Sequence, residues 1–184
     1  MALDTNELKD LLAKIDANLR QAGSICLIGS GATILLGQST RQTDDIDVWA
    51  GASHVVLDEL RRASEAAGLT FDPQDELPRL PYIQIVHAGL VQVPGWDAAS
   101  RTWFGEPERE VWTGRNLTVT VPPPRALAAS KLVRGDDRDL EDCLWLMAAH
   151  GIDAGEIARA IDMLPGVARR KAEDNLDILG MMQL

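Results

Sequence analysis

The stretch between positions 29 and 47 contains the residue types and spacings of this sequence that are best suited to chemistry. Asp45-Ile46-Asp47 opens a segment of alternating polar and apolar residues that is typical of a strand. Because residues i and i+2 of a strand point to the same face, the two carboxylates project together, about 7 Å apart along the chain. Carboxylate oxygens are hard ligands that suit Mg²⁺, and a cation relieves the repulsion between the two charges. The pair therefore predicts a divalent-metal site.

A Gly-Ser-Gly tripeptide at 29–31 precedes this pair, at a predicted junction between a strand and a helix. Because glycine has no bulky side chain, backbone N–H groups there can approach an anion, and a helix N-terminus favours negative charge. Arg41 and Thr43 lie in the polar loop that leads to Asp45. They supply a cation and a hydroxyl that can meet phosphate or brace the acids, so the region predicts a phosphate site beside the metal.

Each of these features also fits an ordinary structural role. A Gly-Ser-Gly tripeptide makes tight turns, an Asp-x-Asp pair can be solvated or cap a turn, and a single arginine can be a surface residue. A dinucleotide-binding unit is a further alternative, but it requires a third glycine where this chain has Ile34. It also requires its acid at the end of the second strand, whereas Asp45 and Asp47 open theirs. The order and spacing of the features favour the phosphate-and-metal interpretation.

Hydrophobic periodicity predicts the elements that position these residues. In the front of the chain it predicts helices over 4–21, 32–36 and 53–67, and strands over 24–28 and 45–50. In the third helix the side chains expected to face inward are Val56, Leu57, Leu60 and Ala63. A proline-punctuated loop over 73–81 follows, and then strands over 82–86 and 90–93, an irregular stretch over 94–114 and a strand over 116–121.

The triple proline at 122–124 marks the predicted domain boundary, since the pattern after it is wholly helical. Candidate helices cover 125–133, 138–150, 154–163 and 167–179. We therefore expect an α/β (α+β) fold with a mixed β-sheet flanked by helices over residues 1–123. A helical C-terminal subdomain over residues 124–184 is expected to pack on this core.

Composition limits the classes of function. The 184 residues, 46% of them hydrophobic, suffice for one sizeable core. The formal net charge of −10 argues against a broad nucleic-acid-coating surface, so we expect no DNA partner. The apolar runs are too short to span a bilayer, and the acidic N-terminus does not resemble a signal peptide, so we expect a cytoplasmic protein without a membrane partner. Cys26 and Cys143 are predicted to be buried, inert thiols.

Two segments together carry a resemblance to a known family. The residues Leu-Ile-Gly-Ser-Gly-Ala-Thr at 27–33 and Arg-Gln-Thr-Asp-Asp-Ile-Asp-Val at 41–48 resemble the signature of the polymerase-β-like nucleotidyltransferase superfamily. They are especially similar to its AbiEii-type bacterial branch. The segment 128–142 is similar to the Lys-Leu…Arg-x-x-Asp-x-x-Asp helical motif of that branch. The resemblance covers residues 24–50 and 122–153, and it implies a nucleotidyltransferase fold.

The resemblance implies a metal-dependent transfer of a nucleotidyl group from a nucleoside triphosphate, with release of pyrophosphate. Gly29 and Ser30 would hold the triphosphate. Asp45 and Asp47 would hold one or two Mg²⁺ (or Mn²⁺) ions, which polarise the α-phosphate and help to activate an acceptor hydroxyl.

Further roles are implied for residues on both segments. Arg41 and Thr43 would also contact the nucleotide, Lys131 would neutralise phosphate charge, and Asp139 or Asp142 would orient Lys131 or bind base or sugar. The alternative for the second segment is an amphipathic helix with charges on its solvent face. Some members of the branch are toxins of toxin–antitoxin pairs and others modify tRNA ends. This implies a tRNA or protein acceptor and, for a toxin, a cognate antitoxin.

One departure from the superfamily pattern concerns its third carboxylate, which lies on a later strand. The matching positions here are the neutral residues Gln84, Gln92 and Thr120. Glutamine can coordinate a metal, but it brings no charge and is a feeble base. Either the third acid comes from elsewhere, or the protein is a degenerate member that binds nucleotide or a protein partner without catalysis. The candidates for an acid from elsewhere are Asp97, Glu106 and Asp139.

Overall fold

The structure, a computed structural model, describes residues 2–74, 78–79 and 81–182. The chain divides into two compact units, and both are discontinuous in sequence. The first unit comprises Met1–His87 and Arg109–Val121, and the second comprises Ala88–Glu108 and Pro122–Leu184. The segment over 88–108 thus belongs with the helices that follow the triple proline.

The first unit contains both helices and strands, and it carries the Asp-x-Asp pair. Its elements are α1 (Thr5–Asn18), β1 (Gly23–Cys26), α2 (Gly29–Leu35), β2 (Asp45–Trp49), a 3₁₀ turn (Ala50–Ala52), α3 (Leu57–Ala66), β3 (Thr70–Phe71), β4 (Tyr82–Val86), and the strands Arg109–Thr113 and Leu117–Val121, which are β8 and β9 in chain order. Three further strands lie between β4 and β8 in the sequence and belong to the second unit. They are β5 (Trp96–Asp97), β6 (Thr102–Trp103) and β7 (Glu106–Pro107).

Two three-stranded sheets form the centre of the first unit, in the orders β1-β9-β8 and β2-β4-β3. β1 runs parallel to β9, β8 runs antiparallel to β9, and β2 and β3 both run parallel to β4. The residues just after β1 connect the sheets. Leu27 N–H donates to Thr120 O at 2.9 Å, and Ile28 N–H donates to Asp47 O at 3.0 Å. The strand pairing is therefore mixed, as predicted.

Helix α1 lies beside these sheets because its sequence is amphipathic and well capped. Leu8, Leu11, Leu12 and Ile15 are buried. The side chain of Asp4 accepts from Glu7 N–H while the Glu7 side chain accepts from Asp4 N–H, which is the capping box that the sequence indicates. At the other end, the Asp16 carboxylate accepts from the backbone N–H groups of Arg115 and Asn116, which lie between β8 and β9, and of Leu117, which begins β9. Burial opposes ionisation of Asp16, but these hydrogen bonds outweigh it and lower the pKa of the carboxyl group.

Several local predictions in the first unit were wrong. Helix α2 begins at Gly29 and not at Ala32, so the Gly-Ser-Gly tripeptide at the strand-to-helix junction forms the first turn of the helix. Val56 and Leu57 are 58% and 49% exposed, because Val56 only caps α3 and the buried face begins at Leu60. The predicted loop over 73–81 falls partly on residues 75–77 and 80, which lie outside the described residues.

The second unit, in its described residues, consists of four helices and a small antiparallel sheet. The helices are α4 (Pro124–Arg134), α5 (Asp137–His150), α6 (Ala154–Ile161) and α7 (Gly166–Met182), close to the predicted ranges. Pro124 begins α4, and Gly135 ends it in the left-handed conformation, at φ 66°. The Asn175 side chain of α7 donates to Leu132 O at the end of α4, at 2.7 Å.

The segment over 88–114 contradicts two predictions. Residues 90–93 are a turn and irregular backbone rather than a strand, and Leu90 is 79% exposed. A short apolar run does not by itself specify a strand. Residues 94–108, predicted to be irregular, form the sheet β5-β6-β7, in which the fully buried Trp103 lies 5.1 Å from the ring of Trp96. These two indoles hold the short strands together.

Two predictions that follow from composition can be compared with the structure. In the described part of the chain, none of the helices combines the length and hydrophobicity needed to cross a membrane. Cys26 and Cys143 are both buried thiols, as predicted. Burial raises the pKa of the Cys143 thiol to about 12, so it is not ionised at neutral pH.

Candidate functional site

Asp45 and Asp47 lie on one face of β2, and the parallel neighbour β4 extends that face. Asp45 is in register with Tyr82, and Asp47 with Gln84, while Ile46 and Ile83 between them are fully buried on the opposite face. Paired residues of adjacent strands point to the same side of a sheet. We call the side chains of Asp45, Asp47, Tyr82 and Gln84 the carboxylate face.

Two hydroxyl groups hold the Asp45 carboxylate. Thr43 Oγ1 donates to Asp45 Oδ1 at 2.7 Å, and the Tyr82 hydroxyl donates to Asp45 Oδ2 at 3.2 Å. The backbone of Thr43 is itself fixed by paired hydrogen bonds with Leu3, at 2.6 and 3.1 Å. Burial, the charge of Asp45 and this hydrogen bond, with the charges of Asp47 and Asp44, raise the pKa of Tyr82 to about 12. The phenol is therefore a neutral donor at physiological pH.

The Asp47 carboxylate lies directly against the backbone of Gly29. A Cβ atom built on Gly29 would lie 2.4 Å from Asp47 Oδ2, and Gly29 has φ +65°. Any side chain at position 29 would collide with the carboxylate, and the left-handed backbone also favours glycine. Glycine thus allows the strand-to-helix junction and the second acid to approach each other closely.

Ser30 and Arg41 complete the group of predicted residues in the first unit. The Ser30 hydroxyl accepts from Arg41 Nη2 at 3.4 Å. Helix α2 has only seven residues, so its dipole contributes less than the sequence analysis assumed. The guanidinium group of Arg41 thus brings a positive charge to Ser30. Gly29, Ser30, Arg41, Thr43, Asp45 and Asp47 therefore belong to one local arrangement.

Of the three neutral positions expected in place of a third acid, Gln84 is the one beside Asp47. Its Nε2 donates to Asp72 Oδ1 at 2.6 Å, and Asp72 follows the last residue of β3. Gln92 lies in irregular backbone of the second unit, and Thr120 is buried on β9, in register with Cys26. Gln84, at the third-acid position, is therefore hydrogen-bonded to the carboxylate of Asp72.

The acids proposed as substitutes all lie in the second unit. Asp97 accepts from Ala99 N–H and from the Ser100 hydroxyl, and these bonds, that to Ser100 foremost, lower the pKa of its carboxyl group. Glu106 forms an ion pair with Arg125 at 2.9 Å. Asp139 belongs to a separate cluster of buried charges.

Lys131, Asp139 and Asp142 form this buried cluster between α4 and α5. Lys131 Nζ lies 2.7 Å from Asp142 Oδ2 and 3.4 Å from Asp139 Oδ1. Arg134 donates to both oxygens of Asp139, at 2.6 and 2.8 Å. The side chains of Lys131, Asp139 and Asp142 are 6%, 1% and 0% exposed. The alternative of a solvent face is therefore wrong for Lys131, Asp139 and Asp142, which are inside the helical unit, whereas the Arg134 side chain is 69% exposed.

The donor set of the carboxylate face fits a hard divalent cation. Mg²⁺ in proteins often has one or two carboxylate ligands and completes its shell with water and substrate phosphate. Asp45 and Asp47 supply the two carboxylates, and Gln84 adds a neutral amide. Within the described ranges, however, no cluster of three or more His, Cys, Asp or Glu side chains is placed to hold a metal ion. A metal here would have two protein carboxylates.

Sequence analysis did not find Tyr82 or Asp72. The signal for Tyr82 is present in the sequence, because Tyr82 and Gln84 alternate with buried residues as Asp45 and Asp47 do. Which strand lies beside β2 is set by the fold, so the contact itself cannot be read from a local pattern. For Asp72 there is no comparable signal, since it follows a strand of two residues.

Comparisons with known proteins concern the family and the fold of the chain. The model of the family described as "Nucleotidyltransferase of unknown function (DUF6036)" matches residues 5–163. Among solved structures, the chain is similar to an antigenic nucleotidyltransferase-like protein from Paracoccidioides brasiliensis, with a TM-score of 0.50 and 14% identity. The match covers 100% of this chain and 91% of that one. No curated protein matches the sequence.

Proposed function

Since the chain belongs to a family of nucleotidyltransferases of unknown function, we propose that it transfers a nucleotidyl group from a nucleoside triphosphate in a reaction that depends on Mg²⁺ or Mn²⁺. The observation that carries the proposal is the carboxylate face. Two acids project from β2 beside a glycine junction that accommodates one of them within contact distance.

In this proposal, different residues of the first unit bind the metal and the triphosphate. Asp45 and Asp47 would hold the metal, which when bound supplies Lewis-acid polarisation of the phosphate. Thr43 and Tyr82 fix the Asp45 carboxylate, so little reorganisation is needed when a cation binds. Gly29, Ser30 and Arg41 would receive the triphosphate through the backbone, the hydroxyl and the guanidinium group.

The motif of the second unit has a narrower part in the proposal. Lys131 already has two carboxylate partners and is buried within the unit. A role for Lys131, Asp139 or Asp142 at the nucleotide is therefore a separate proposal, because a substitution there also affects stability.

Transfer of a labelled nucleotide tests the proposal. The protein is incubated with Mg²⁺ and each α-labelled nucleoside triphosphate, together with total tRNA or a protein extract. We expect label on one macromolecule class, and its loss in an Asp45→Ala/Asp47→Ala variant. Asp44→Ala is the matched control, because Asp44 is the exposed acid immediately before β2 and is not on the carboxylate face. Equal labelling by all three proteins would exclude these carboxylates as the site.

A second candidate function, nucleotide or partner binding without catalysis, is favoured by one observation. Two carboxylates rather than three lie on the carboxylate face, and the third position is the amide Gln84. A protein of this kind would show no transfer, but its melting temperature would rise with Mg²⁺ and a nucleoside triphosphate. The rise would disappear in the Asp45→Ala/Asp47→Ala variant.

The proposal extends to a toxin of a toxin–antitoxin pair, with a cognate antitoxin as partner. Such a toxin would stop the growth of a bacterial host by modifying tRNA or protein. Expression of the wild type is then expected to arrest growth, and expression of the Asp45→Ala/Asp47→Ala variant at the same level is not. Normal growth with active wild-type enzyme would restrict the function to a non-toxic transfer.

A further inference from the structure

Gln84 occupies the position where an acid is expected, and its side chain contacts a carboxylate. Gln84 lies beside Asp47 in the parallel register and shares the carboxylate face with it. Its Nε2 donates to Asp72 Oδ1 at 2.6 Å. A carboxylate only accepts hydrogen bonds, so the amide nitrogen must be the end of Gln84 that faces Asp72. The amide oxygen is therefore the end that is directed away from Asp72.

Asp72 is held in place by the two residues on either side of Gln84. Its backbone N–H donates to Ile83 O at 2.7 Å, and its Oδ1 accepts from Ile85 N–H at 3.1 Å. In a regular parallel ladder a backbone carbonyl would receive the Ile85 N–H. Here the side chain replaces it, because Asp72 has φ 44° and the chain leaves the sheet at this point. Asp72 thus ends β3 and holds Gln84 with one carboxylate.

We propose that Gln84 is a neutral oxygen ligand of the metal site and that Asp72 is the positioning residue that orients its amide oxygen for this role. The inference rests on the proposed function, since it assigns a third protein oxygen to the site of Asp45 and Asp47. Amide oxygens are accepted ligands of hard cations, although they bring no charge. A site with two carboxylates and one amide has one negative charge fewer than a site with three carboxylates.

The positioning role of Asp72 can be separated from its charge. The same oxygen, Asp72 Oδ1, accepts from both Gln84 Nε2 and Ile85 N–H. Asp72→Asn keeps this oxygen and both hydrogen bonds while it removes the negative charge, so the Gln84 amide keeps its orientation. Asp72→Gly removes the acceptor and suits the φ of 44° at this position, so nothing at position 72 then orients the Gln84 amide.

Metal affinity is the direct readout, measured as the Mn²⁺ dissociation constant by electron paramagnetic resonance without nucleotide. Loss of a residue that orients a ligand costs about 10- to 100-fold in metal affinity. We expect a weakening of about tenfold or more in Asp72→Gly, and a similar weakening in Gln84→Met, which keeps the length of the side chain but removes the oxygen. The weakening in Asp72→Asn, which keeps the orienting oxygen, is expected to be clearly smaller. Thermal unfolding of the same samples reports any loss of structure.

The double variant Asp72→Gly/Gln84→Met is the strongest test. Because Asp72 is proposed to act through the oxygen of Gln84, Asp72→Gly is expected to cost little further Mn²⁺ affinity once that oxygen has been removed. A full additional loss in the double variant would show that Asp72 affects metal binding by another route.

Three outcomes distinguish the two proposals. Weak binding by Asp72→Gly and Gln84→Met, with a clearly smaller loss in Asp72→Asn, supports the inference. Wild-type affinity in both Asp72→Gly and Gln84→Met overturns it and leaves the site of Asp45 and Asp47 intact. If the wild type binds no Mn²⁺, or binds it equally well without Asp45 and Asp47, both this inference and the proposed metal dependence fail.

Discussion

Tyr82 is the single tyrosine of the chain, so its phenol reports on the charge of the carboxylate face without interference from other tyrosines. Its pKa is raised to about 12 by burial and by the neighbouring Asp45. The protonated phenol is favoured in the folded state, so its contribution to stability is fully present below the unfolded pKa of about 10. That contribution is lost as the pH rises from about 10 to about 12.

We expect the tyrosinate absorbance of the folded protein to rise with a midpoint near pH 12, well above that of the unfolded chain. In Asp45→Asn the charge is removed but the burial remains, so the midpoint is expected to fall while staying above the free value of about 10. Circular dichroism at each pH verifies that the chain is still folded. A normal midpoint in the folded wild type would show that the phenol does not contact Asp45.

Gly29 makes a second prediction at the scale of one residue. Gly29→Ala forces a Cβ atom into the space of the Asp47 carboxylate and places a non-glycine residue at φ +65°. The backbone strain costs about 1–2 kcal/mol, and the collision displaces Asp47. We expect a lower melting temperature together with a loss of Mn²⁺ binding.

Gly37→Ala is the matched control for this substitution. Gly37 also has a positive φ, of +115°, but nothing lies within 4 Å of its added Cβ atom. Its replacement is expected to reduce stability while Mn²⁺ affinity stays at the wild-type value. Equal loss of Mn²⁺ binding in both variants would mean that backbone strain, and not the contact with Asp47, is responsible.

The sequence predicted part of this site because part of it is local. The i, i+2 spacing places Asp45 and Asp47 on one face whatever surrounds them. The partners Tyr82 and Asp72 reach the site through strand register, which joins positions 37 and 12 residues apart, and no local pattern specifies it. The resemblance supplied the fold but gave no reason for an amide at position 84.

At the scale of elements, α4 and α5 are joined by the buried pair of Lys131 and Asp142, at 2.7 Å. The helices themselves follow from periodicity and from the glycine and proline residues around them. The burial of their charged motif does not, because an i, i+3 pattern of charges is also that of an exposed face. Tertiary packing of the helical unit decides between the two arrangements.

A double-mutant cycle tests the coupling of these helices. Lys131→Met removes the ammonium from two buried carboxylates, and we expect a loss of about 3–5 kcal/mol in the free energy of unfolding. In an Asp142→Asn background one carboxylate fewer is left without compensation. The cost of Lys131→Met is then expected to fall by about 1 kcal/mol or more.

The measurement is urea unfolding of the four proteins of the cycle, with Lys171→Met as the control for loss of a lysine from an exposed helical position. The control is expected to change stability by less than about 0.5 kcal/mol. If the two substitutions have additive effects on the free energy of unfolding, Lys131 and Asp142 do not stabilise each other.

At the scale of the whole molecule, the order of the strands connects distant parts of the chain. β9 lies between β1 and β8, and Gly23 is in register with Leu117. The sheet of β1, β9 and β8 therefore joins residues that lie on either side of the segment over 88–108, and this segment belongs to the second unit. The proline-rich stretch coincides with the last change from one unit to the other, but it did not indicate that an earlier segment belongs with the helices.

Truncation tests this connection. A chain that ends after residue 108 lacks β8 and β9, so β1 has no partner on that side, and we expect no cooperative thermal transition by circular dichroism. A chain that ends after residue 123 contains the described strands of the first unit and is expected to retain a transition. A cooperative transition in the shorter chain would show that β9 is dispensable for this unit.

Because β1 pairs with β9, β1 is synthesised well before its partner strand. The ribosome releases β1 about 90 residues before it delivers the strand that β1 pairs with. At ordinary translation rates of about 5–20 residues per second, the apolar segment Ile25–Ile28 waits on the order of 5–20 s without its partner. During this interval it is a natural client for chaperones that bind short apolar segments. The strand that leads into the candidate site is therefore made early and gains its partner only after about 90 further residues.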